Sequence, residues 1–385
     1  MKTIIIVGGG SGGISAANHL SYKLREKIKA NDVKIVLIDP SRFHYYQPGF
    51  LEVPFGLMEQ EETYREMNGL LAKGITFLQE KAIKIDLENR NVTTEKGQVK
   101  YDYLIIATGA KYDYSAVPGF TDGADHFYTL ENSKILKTKL NKFNEGTIVV
   151  GVSSMPYKCT PAPLEATFLL HDMFKSRKLL DKVKIIYTYP MPMAFPDKSI
   201  SDIALKMFDQ RKIESKLDFK VKLLDAKNKE LISSNGEKIS YDLAIMTPPH
   251  RGSELIANSG FGDQFDWVPV DKFSLNVTGH EDAYAIGDAT NLQVSKAGSV
   301  ADAEAIVVSN RIAQQVNGLT PYSLYDGSGG ALMVTGIGKA SMITSNYTHA
   351  PVFMPESYSY YWLKLIYNKV YWNMTAKAVL NGVIK

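Results

Sequence analysis

Short hydrophobic runs alternate with a helical pattern in the first part of the chain. Residues 3–7 are an unbroken β-branched run, residues 33–38 are a second and largely apolar run, and residues 14–29 between them have the spacing of a helix. Runs of this kind are typical of strands that are buried on both faces of a parallel sheet. The pattern therefore predicts an α/β fold that begins with a strand, a helix and a second, parallel strand.

A glycine cluster lies at the turn between the first strand and the helix. Gly8, Gly10 and Gly13 have the spacing G-x-G-x-x-G, and Asp39 follows the second strand. In such a unit the glycines allow a tight turn, a close approach of the backbone to a pyrophosphate, and close packing of the helix. The helix N-terminus would face the phosphates and the carboxylate would bind a ribose. We therefore predict a dinucleotide site here.

Two later segments support a nucleotide site. Residues 103–110 are a buried strand that ends in Ala-Thr-Gly-Ala, with Thr108 and Gly109, and residues 282–289 end in Ile-Gly-Asp-Ala, with Gly287 and Asp288. Strands that end in this way bring small residues and a carboxylate to the edge of the sheet where ligands bind in α/β folds. An ordinary exit from a strand explains either segment alone, but it does not explain all three motifs in this order.

Composition and charge exclude several classes of protein. The chain has 385 residues, which predicts about two or three domains. Lys and Arg (44) nearly balance Asp and Glu (41) without a basic run, so nucleic acid is not an expected partner. Cys159 is the only cysteine, which excludes an internal disulfide and any metal site built from several thiolates. The histidine spacing predicts no metal site either.

Neither a signal peptide nor a transmembrane helix is expected. The glycine cluster interrupts the apolar N-terminal run too early for a signal peptide. No segment has 18 uninterrupted apolar residues. We therefore expect a cytoplasmic protein, associated at most with a membrane surface.

The three motifs together resemble the FAD-binding half of two-domain flavoprotein oxidoreductases with the glutathione-reductase-like fold. The resemblance implies tandem Rossmann-like domains, with an FAD domain of residues 1–112 plus 268–325, a second domain of residues 113–267, and a C-terminal region of residues 326–385 that ends in an amphipathic helical tail. The residues that it implies for FAD are those of the motifs, with Asp288 at the ribityl chain or the pyrophosphate: Gly8, Gly10, Gly13, Asp39, Thr108, Gly109, Gly287 and Asp288.

The segment of residues 42–48, RFHYYQP, narrows the resemblance. It is similar to the segment after the acidic strand in sulfide:quinone oxidoreductases and their relatives, the flavocytochrome c sulfide dehydrogenases and the type II NADH dehydrogenases. By the same resemblance, Lys296 and Lys339 would lie near the flavin, where a positive charge stabilises the anionic reduced form. Solvation at the surface is the alternative for either lysine.

The second domain lacks the glycine fingerprint that would bind NAD(P)H. Its predicted first strand, residues 147–150, leads into a turn in which Gly151 is the only glycine, and Pro156 removes a backbone N–H. The next predicted strand, residues 183–187, is followed by no acidic residue for a ribose. Both observations argue against NADH as the electron donor.

Cys159 occupies the place of the missing fingerprint. Residues 158–165, KCTPAPLE, resemble the redox-cysteine segment of sulfide:quinone oxidoreductases, which places a thiol near the flavin. A thiolate is the nucleophile that sulfur chemistry needs, and the adjacent Lys158 and a helix predicted from about Leu164 to Lys175 would favour it by lowering the pKa of the thiol. The alternative is that Cys159 is a small buried hydrophobic residue.

A second redox cysteine is missing. The resemblance places it in a late segment like residues 331–340, which here keeps the Thr-Gly-x-Gly-Lys signature but has no cysteine. One thiol can form a persulfide or a flavin adduct but cannot resolve it as an internal disulfide, so sulfur would leave to hydrosulfide or to an external nucleophile such as a thiol, sulfite or cyanide. The chain is then a single-cysteine sulfide oxidase, a relative that has lost sulfide chemistry, or an engineered variant of a two-cysteine parent.

Residues 358–385 combine aromatic residues and lysines. On a helical projection Trp362, Tyr367 and other apolar residues share one face, and Lys364 and Asn368 lie opposite. This pattern predicts contact with a membrane surface, or with the quinone in it, through Trp362 and Tyr367. The alternative is a helix that packs on the protein's own core or on a second subunit of a homo-oligomer.

The resemblance as a whole implies an FAD-dependent oxidoreductase that oxidises sulfide through Cys159 and reduces a quinone. One alternative is a type II NADH:quinone dehydrogenase, which shares the fold, FAD and the tail. The other alternative is a flavin-binding subunit without sulfide turnover of its own.

Overall fold

The structure, a computed structural model, describes residues 1–379 and contains two parallel sheets. The first sheet has five strands in the order Ala283–Ala285, Tyr103–Ile106, Lys2–Val7, Val33–Ile38 and Ile75–Leu78. All neighbouring strands in it are parallel. The sheet therefore joins the beginning of the chain to a strand from its last third, as a discontinuous domain requires.

Both faces of the first sheet are covered. Ile4 and Ile6 pack towards the helices Ser11–Lys23 and Gly298–Val316, and Ile5 packs on the opposite face. All three isoleucines are fully buried. This arrangement is why the first strand is apolar at successive positions, and it confirms the predicted α/β fold.

The second parallel sheet contains the strands predicted at residues 147–150 and 183–187. Its order is Glu214–Lys216, Val183–Thr188, Gly146–Val152 and Leu243–Thr247. The helix Ala162–Ser176 packs on it and follows the segment that contains Cys159. Pro161 and Pro163 lie at the start of this helix, where the missing N–H of proline costs no hydrogen bond.

The remaining elements are smaller sheets and helices around these two layers. The antiparallel strands are Phe43–Tyr45 with Tyr64–Glu66, Ala82–Asp86 with Asn91–Thr94 and Gly97–Lys100, Ala110–Tyr112 with His250–Gly252, and Val221–Asp225 with Glu230–Ser233 and Lys238–Ser240. The other helices are Arg25–Lys29, Gly49–Glu52, Phe120–Gly123, Leu130–Lys142, Lys198–Arg211 and Glu254–Ser259.

The helix predicted for residues 14–29 is two helices. The first begins at Ser11, inside the glycine cluster, and ends at Lys23, and a short helix, Arg25–Lys29, follows. Leu24 between them leaves the helical conformation, with φ −107° and ψ 17°, and its side chain is buried. The pattern of polar and apolar residues does not change at this break, which is why the sequence predicts one continuous helix.

A hairpin layer and a C-terminal helix complete the fold. The hairpin layer consists of Gly329–Gly336, Lys339–Ser345 and Val352–Phe353, and the helix Tyr358–Tyr371, here called the tail helix, packs against it. A single π-helical turn, Trp372–Ala376, follows. Residues 380–385 of the predicted C-terminal region lie outside the described residues. No helix within residues 1–379 has the length and apolar character needed to cross a membrane.

Candidate functional site

One cavity brings together the sequence motifs that lie far apart in the chain. It is bordered by the first sheet, the loop around Cys159, the hairpin layer and the tail helix. The residues from the predicted motifs that line it are Gly10, Gly109, Cys159, Gly287, Asp288 and Lys296. Gly8, Gly13, Asp39 and Thr108 are not among the lining residues, and their predicted contacts with the cofactor stay predictions.

The turn of residues 8–13, here called the glycine loop, has the shape that a pyrophosphate requires. A Cβ atom on Gly13 would lie 1.8 Å from the carbonyl oxygen of Gly8, so only glycine lets the helix pack this closely. A Cβ atom on Gly10 would meet nothing within 4 Å, because Gly10 faces the cavity. The loop thus leaves space beside a helix N-terminus, where the backbone N–H groups favour a phosphate.

Asp39 braces the glycine loop from behind. Its Oδ2 accepts a hydrogen bond from the Gly9 N–H at 2.6 Å, and its Oδ1 accepts one from the Ser41 N–H at 2.7 Å. Burial raises the pKa of Asp39, and these two hydrogen bonds oppose that effect. Its predicted contact with a ribose stays a prediction, and the structure adds a second role in fixing the loop.

Lys296 holds the Gly-Asp turn at the cavity. Its Nζ donates to the carbonyl oxygens of Asp288 at 3.1 Å and Thr290 at 2.7 Å, and it lies 4.1 Å from the centroid of the Trp267 ring. Burial lowers the pKa of Lys296, and the carboxylate of Asp288 opposes this shift. The lysine therefore positions a turn that the sequence assigns to the cofactor.

Lys339 and Thr108 lie differently from what the sequence suggests. Lys339 is not among the residues that line the cavity; it is partly exposed and pairs with Glu356 at 2.8 Å. The lysine follows the tight hairpin turn around Gly338, and its predicted place near the flavin stays a prediction. Thr108 accepts a hydrogen bond from Ser253 at 3.1 Å, and Gly109 next to it lines the cavity.

The backbone of Cys159 is hydrogen-bonded to the segment that follows the turn of Gly287 and Asp288. Its N–H donates to the carbonyl oxygen of Lys296 at 2.7 Å, and its carbonyl oxygen accepts from the Ala162 N–H at 2.9 Å. Its φ of +57° is in the left-handed region, which is unusual for a residue with a side chain. Non-glycine residues in this region often occur at functional sites, where the surroundings enforce the conformation.

The pKa of the Cys159 thiol is raised, which corrects the sequence-based expectation. Burial and then the carboxylate of Glu165 raise it to about 12. The cation that opposes this rise is Lys364. Lys158 also interacts electrostatically with Cys159, but its Nζ donates to Gln47 at 2.7 Å and lies 4.7 Å from the centroid of the Tyr112 ring.

A buried polar cluster, which the sequence analysis missed, lies where the tail helix meets the cavity. Lys364 Nζ is 3.6 Å from Glu52 Oε1, and only 13% of its side chain is exposed. Asn368 donates to both carboxylate oxygens of Glu52, at 2.9 and 2.7 Å, and accepts from the Tyr46 hydroxyl at 2.6 Å. Glu165 accepts from the Val334 N–H at 2.8 Å, and Lys364 lowers its pKa against the effect of burial.

The tail helix is docked by its polar face. Lys364 and Asn368 point into the protein, whereas Trp362 and Ile366 are 63% and 54% exposed. Tyr367 is half-buried and lines the cavity, so the expectation that it lies on the outer face with Trp362 is wrong. The helical projection separates Trp362 from Lys364 and Asn368 correctly, but it places Tyr367 on the wrong face and does not indicate which face is turned outwards.

Aromatic side chains fill the carboxyl edge of the second sheet, where a second nucleotide would bind. Tyr157, Tyr187 and Tyr189 are buried, and the hydroxyls of Tyr157 and Tyr189 are 3.2 Å apart. A Cβ atom on Gly151 would lie 1.9 Å from Thr188 Oγ1, so the turn is packed against the neighbouring strand. In residues 1–379 there is also no group of three or more His, Cys, Asp or Glu side chains placed to hold a metal ion.

Comparison with known proteins supports the same fold. The family model for "Pyridine nucleotide-disulphide oxidoreductase" matches residues 2–314. The mitochondrial sulfide:quinone oxidoreductase of Schizosaccharomyces pombe is 27% identical, covering 98% of this chain and 90% of its own length. A type II NADH:quinone oxidoreductase of Staphylococcus haemolyticus is 21% identical and covers 74% of each chain.

Among solved structures, the sulfide:quinone oxidoreductase of Aquifex aeolicus superposes with a TM-score of 0.87. The superposition covers 98% of this chain and 92% of the other, at 22% sequence identity. This likeness establishes the tandem α/β architecture with a helical C-terminal region.

Proposed function

The chain belongs to the pyridine nucleotide-disulphide oxidoreductase family, and we propose that it is an FAD-dependent enzyme that oxidises sulfide and passes the electrons to a quinone. The observation that carries the proposal is the position of Cys159, which lines the same cavity as the glycine loop, Gly109 and Asp288. Sulfur oxidation needs a thiol beside an electron acceptor. Sulfide and quinone are the substrates named for the Schizosaccharomyces pombe relative.

The residues that would hold FAD are those on the first-sheet side of the cavity. Gly10 leaves room for the pyrophosphate, and Asp39 fixes the backbone of the glycine loop behind it. Lys296 holds the turn that presents Asp288. Bound there, FAD would accept an electron pair from sulfur and release it to the quinone.

The net step at Cys159 forms one S–S bond. The thiol and a hydrosulfide ion become an anionic persulfide and release two electrons and two protons, and the quinone takes up the same number of each as it becomes a quinol. The positive charge of Lys364 favours the thiolate over the thiol, and it favours the anionic persulfide in the same way. Burial and the carboxylate of Glu165 oppose this effect and raise the pKa of the thiol, so the thiol is protonated in the resting protein.

The outer sulfur of the persulfide must leave to a molecule from solution. Ala331 and Leu332, in the segment that by resemblance would carry the second redox cysteine, also line the cavity. Neither side chain can attack a persulfide. An external thiol, sulfite or cyanide bonds to the outer sulfur, and the thiolate of Cys159 is the leaving group.

An anaerobic absorbance titration of the purified protein tests this function. We expect sulfide to bleach the flavin band, a quinone analogue to restore it, and NADH to leave it unchanged. Bleaching by NADH alone would contradict the proposal and assign the chain to the type II NADH dehydrogenases. Bound FAD that neither sulfide nor NADH reduces would indicate a flavin-binding subunit. The buried tyrosines at the second sheet favour the expected result, in which NADH does not reduce the flavin.

The exposed apolar face of the tail helix supports association with the cytoplasmic surface of a membrane as part of this proposal. Trp362 and Ile366 lie one helical turn apart on the outer face, and Lys369, also exposed, follows them. Aromatic and aliphatic side chains with a nearby lysine suit the boundary between lipid headgroups and acyl chains. A quinone is confined to the membrane, so its reductase must reach that surface.

Replacing both Trp362 and Ile366 with serine should weaken vesicle binding at least about tenfold, because the loss of two apolar side chains removes a few kcal/mol of transfer free energy. Co-sedimentation with phospholipid vesicles measures the effect. Leu319→Ser is the matched control, since Leu319 is an exposed apolar residue far from the tail helix in sequence. If the double variant is a monomer while the parent chain is a dimer, and vesicle binding is equal, the face is a subunit interface instead.

A further inference from the structure

The tail contacts the glycine loop through a chain of buried hydrogen bonds. The hydroxyl of Tyr371, at the end of the tail helix, lies 2.8 Å from Ser11 Oγ and 2.8 Å from His44 Nε2. The other ring nitrogen of this histidine, Nδ1, lies 2.7 Å from the carbonyl oxygen of Gly9. One tyrosine therefore connects to two residues of the glycine loop that flank Gly10.

The carbonyl oxygen of Gly9 sets the direction of these hydrogen bonds, because it is the only group among them that cannot donate. The Gly9 carbonyl can only accept, so His44 Nδ1 carries the proton and donates to it. Burial lowers the pKa of His44 to about 4, so the ring is neutral at neutral pH and its Nε2 accepts. Tyr371 must then donate to His44, and Ser11 donates to Tyr371. The series of hydrogen bonds therefore runs from Ser11 to Tyr371, from Tyr371 to His44, and from His44 to the carbonyl oxygen of Gly9.

The glycine loop is consequently held on both sides of Gly10 before any ligand binds. Gly9 is fixed at its N–H by Asp39 and at its carbonyl by His44. Ser11 is fixed through its side chain by Tyr371. Gly10, which faces the cavity, lies between these two fixed residues, and its own carbonyl oxygen accepts a hydrogen bond from the Ile14 N–H at 3.0 Å.

We propose that Tyr371 is a positioning residue for FAD, which fixes the pyrophosphate-binding loop through Ser11 and His44. The inference rests on the proposed binding of FAD at the glycine loop. A loop that is already ordered in the free protein loses little conformational entropy when the ligand binds, so less binding affinity is lost. The tail thereby contributes to FAD affinity without belonging to either of the sheets.

Packing around Tyr371 supports this role. Its ring is nearly parallel to that of His44, with centroids 5.9 Å apart, and lies 4.4 Å from the ring centroid of Tyr46. Asn18, in the helix that starts at the glycine loop, donates to the carbonyl oxygen of Ala376 at 2.6 Å. The ring of residue 371 is thus held in place by neighbours other than its own hydroxyl, and a phenylalanine can replace it without loss of shape.

Tyr371→Phe removes the hydroxyl and keeps the ring. We expect the dissociation constant of FAD to rise about tenfold, measured by the recovery of flavin fluorescence on dilution and by titration of the apoprotein. Tyr22→Phe is the matched control, because the Tyr22 hydroxyl donates to the carbonyl oxygen of Lys377 at 3.2 Å and so joins the tail to the same helix without touching the glycine loop. Its FAD affinity should stay within about twofold of the parent.

Ser11→Ala adds a second measurement, because Ser11 and Tyr371 both line the cavity and Ser11 could bind FAD directly. If Ser11 acts through Tyr371, the double variant should bind FAD about as weakly as Tyr371→Phe alone. Equal FAD affinity in Tyr371→Phe and the parent, or equal losses in Tyr371→Phe and Tyr22→Phe, would overturn the inference. Absence of FAD binding by the parent chain would instead overturn the proposed function, so the two failures are distinguishable.

Discussion

Replacing Cys159 with serine should abolish sulfide-dependent reduction of the flavin while the protein keeps its FAD. The hydroxyl of serine cannot form a persulfide, and loss of the nucleophile in enzymes of covalent catalysis costs at least about 1000-fold in rate. The substitution changes one atom, and the hydrogen bonds at this position use the backbone of Cys159. Stopped-flow absorbance at the flavin band, with sulfide as the donor, measures the rate.

Thr160→Ala is the control for this variant. Thr160 follows Cys159 but does not line the cavity, and its hydroxyl makes only a long contact of 3.4 Å with Ser295. We expect turnover and FAD content close to those of the parent chain. A Cys159→Ser protein that is reduced by sulfide at the parental rate would remove Cys159 from the mechanism and leave it as a packing residue.

The Cys159 thiol of the protein without FAD should react slowly with a small disulfide reagent. A rise in pKa from 9.0 to about 12 lowers the thiolate fraction at pH 8 by about 1000-fold. The more basic thiolate is intrinsically more nucleophilic and recovers about 30-fold of this loss, so the net rate should be roughly 30-fold below that of the unfolded chain. The thiol lines a cavity and is partly exposed, so the reagent can reach it.

The reaction rate of the Cys159 thiol should increase with pH. In the folded protein the logarithm of the rate should rise with pH by about one unit per pH unit up to pH 10, whereas the unfolded chain in urea should level off near pH 9. Lys364→Met removes the cation that lowers this pKa, so the variant should react more slowly still. A plateau below pH 8 in the folded protein would show a low thiol pKa and contradict the effect of burial described here.

The local motifs of the fold and the site could be predicted because they depend on short-range geometry. Gly13 must be glycine to avoid the Gly8 carbonyl, and this requirement leaves a fixed spacing in the sequence. The apolar strands are recognisable for a similar reason, since burial on both faces removes polar residues from successive positions. Such signals involve residues that are near each other in the chain.

The polar cluster could not be predicted because its partners are distant in sequence. Lys364 and Asn368 are ordinary polar residues on a helix until Glu52, about 310 residues earlier, is known to lie beneath them. Lys158 is a second example. It stands beside Cys159 in the sequence, but its ammonium group donates a hydrogen bond to Gln47, which is distant in the sequence. Sequence separation does not reveal which pairs the tertiary fold brings together.

The tyrosines at the second sheet restrict which redox couples the proposed enzyme joins. With Tyr157, Tyr187 and Tyr189 packed where a nicotinamide nucleotide would bind, electrons enter from sulfide and leave to quinone without a third branch. The flux then depends on the sulfide supply and on how oxidised the quinone pool is, and it is independent of the ratio of NADH to NAD⁺. The proposed enzyme would therefore keep oxidising sulfide even when the nicotinamide pool is fully reduced, as long as the quinol is reoxidised.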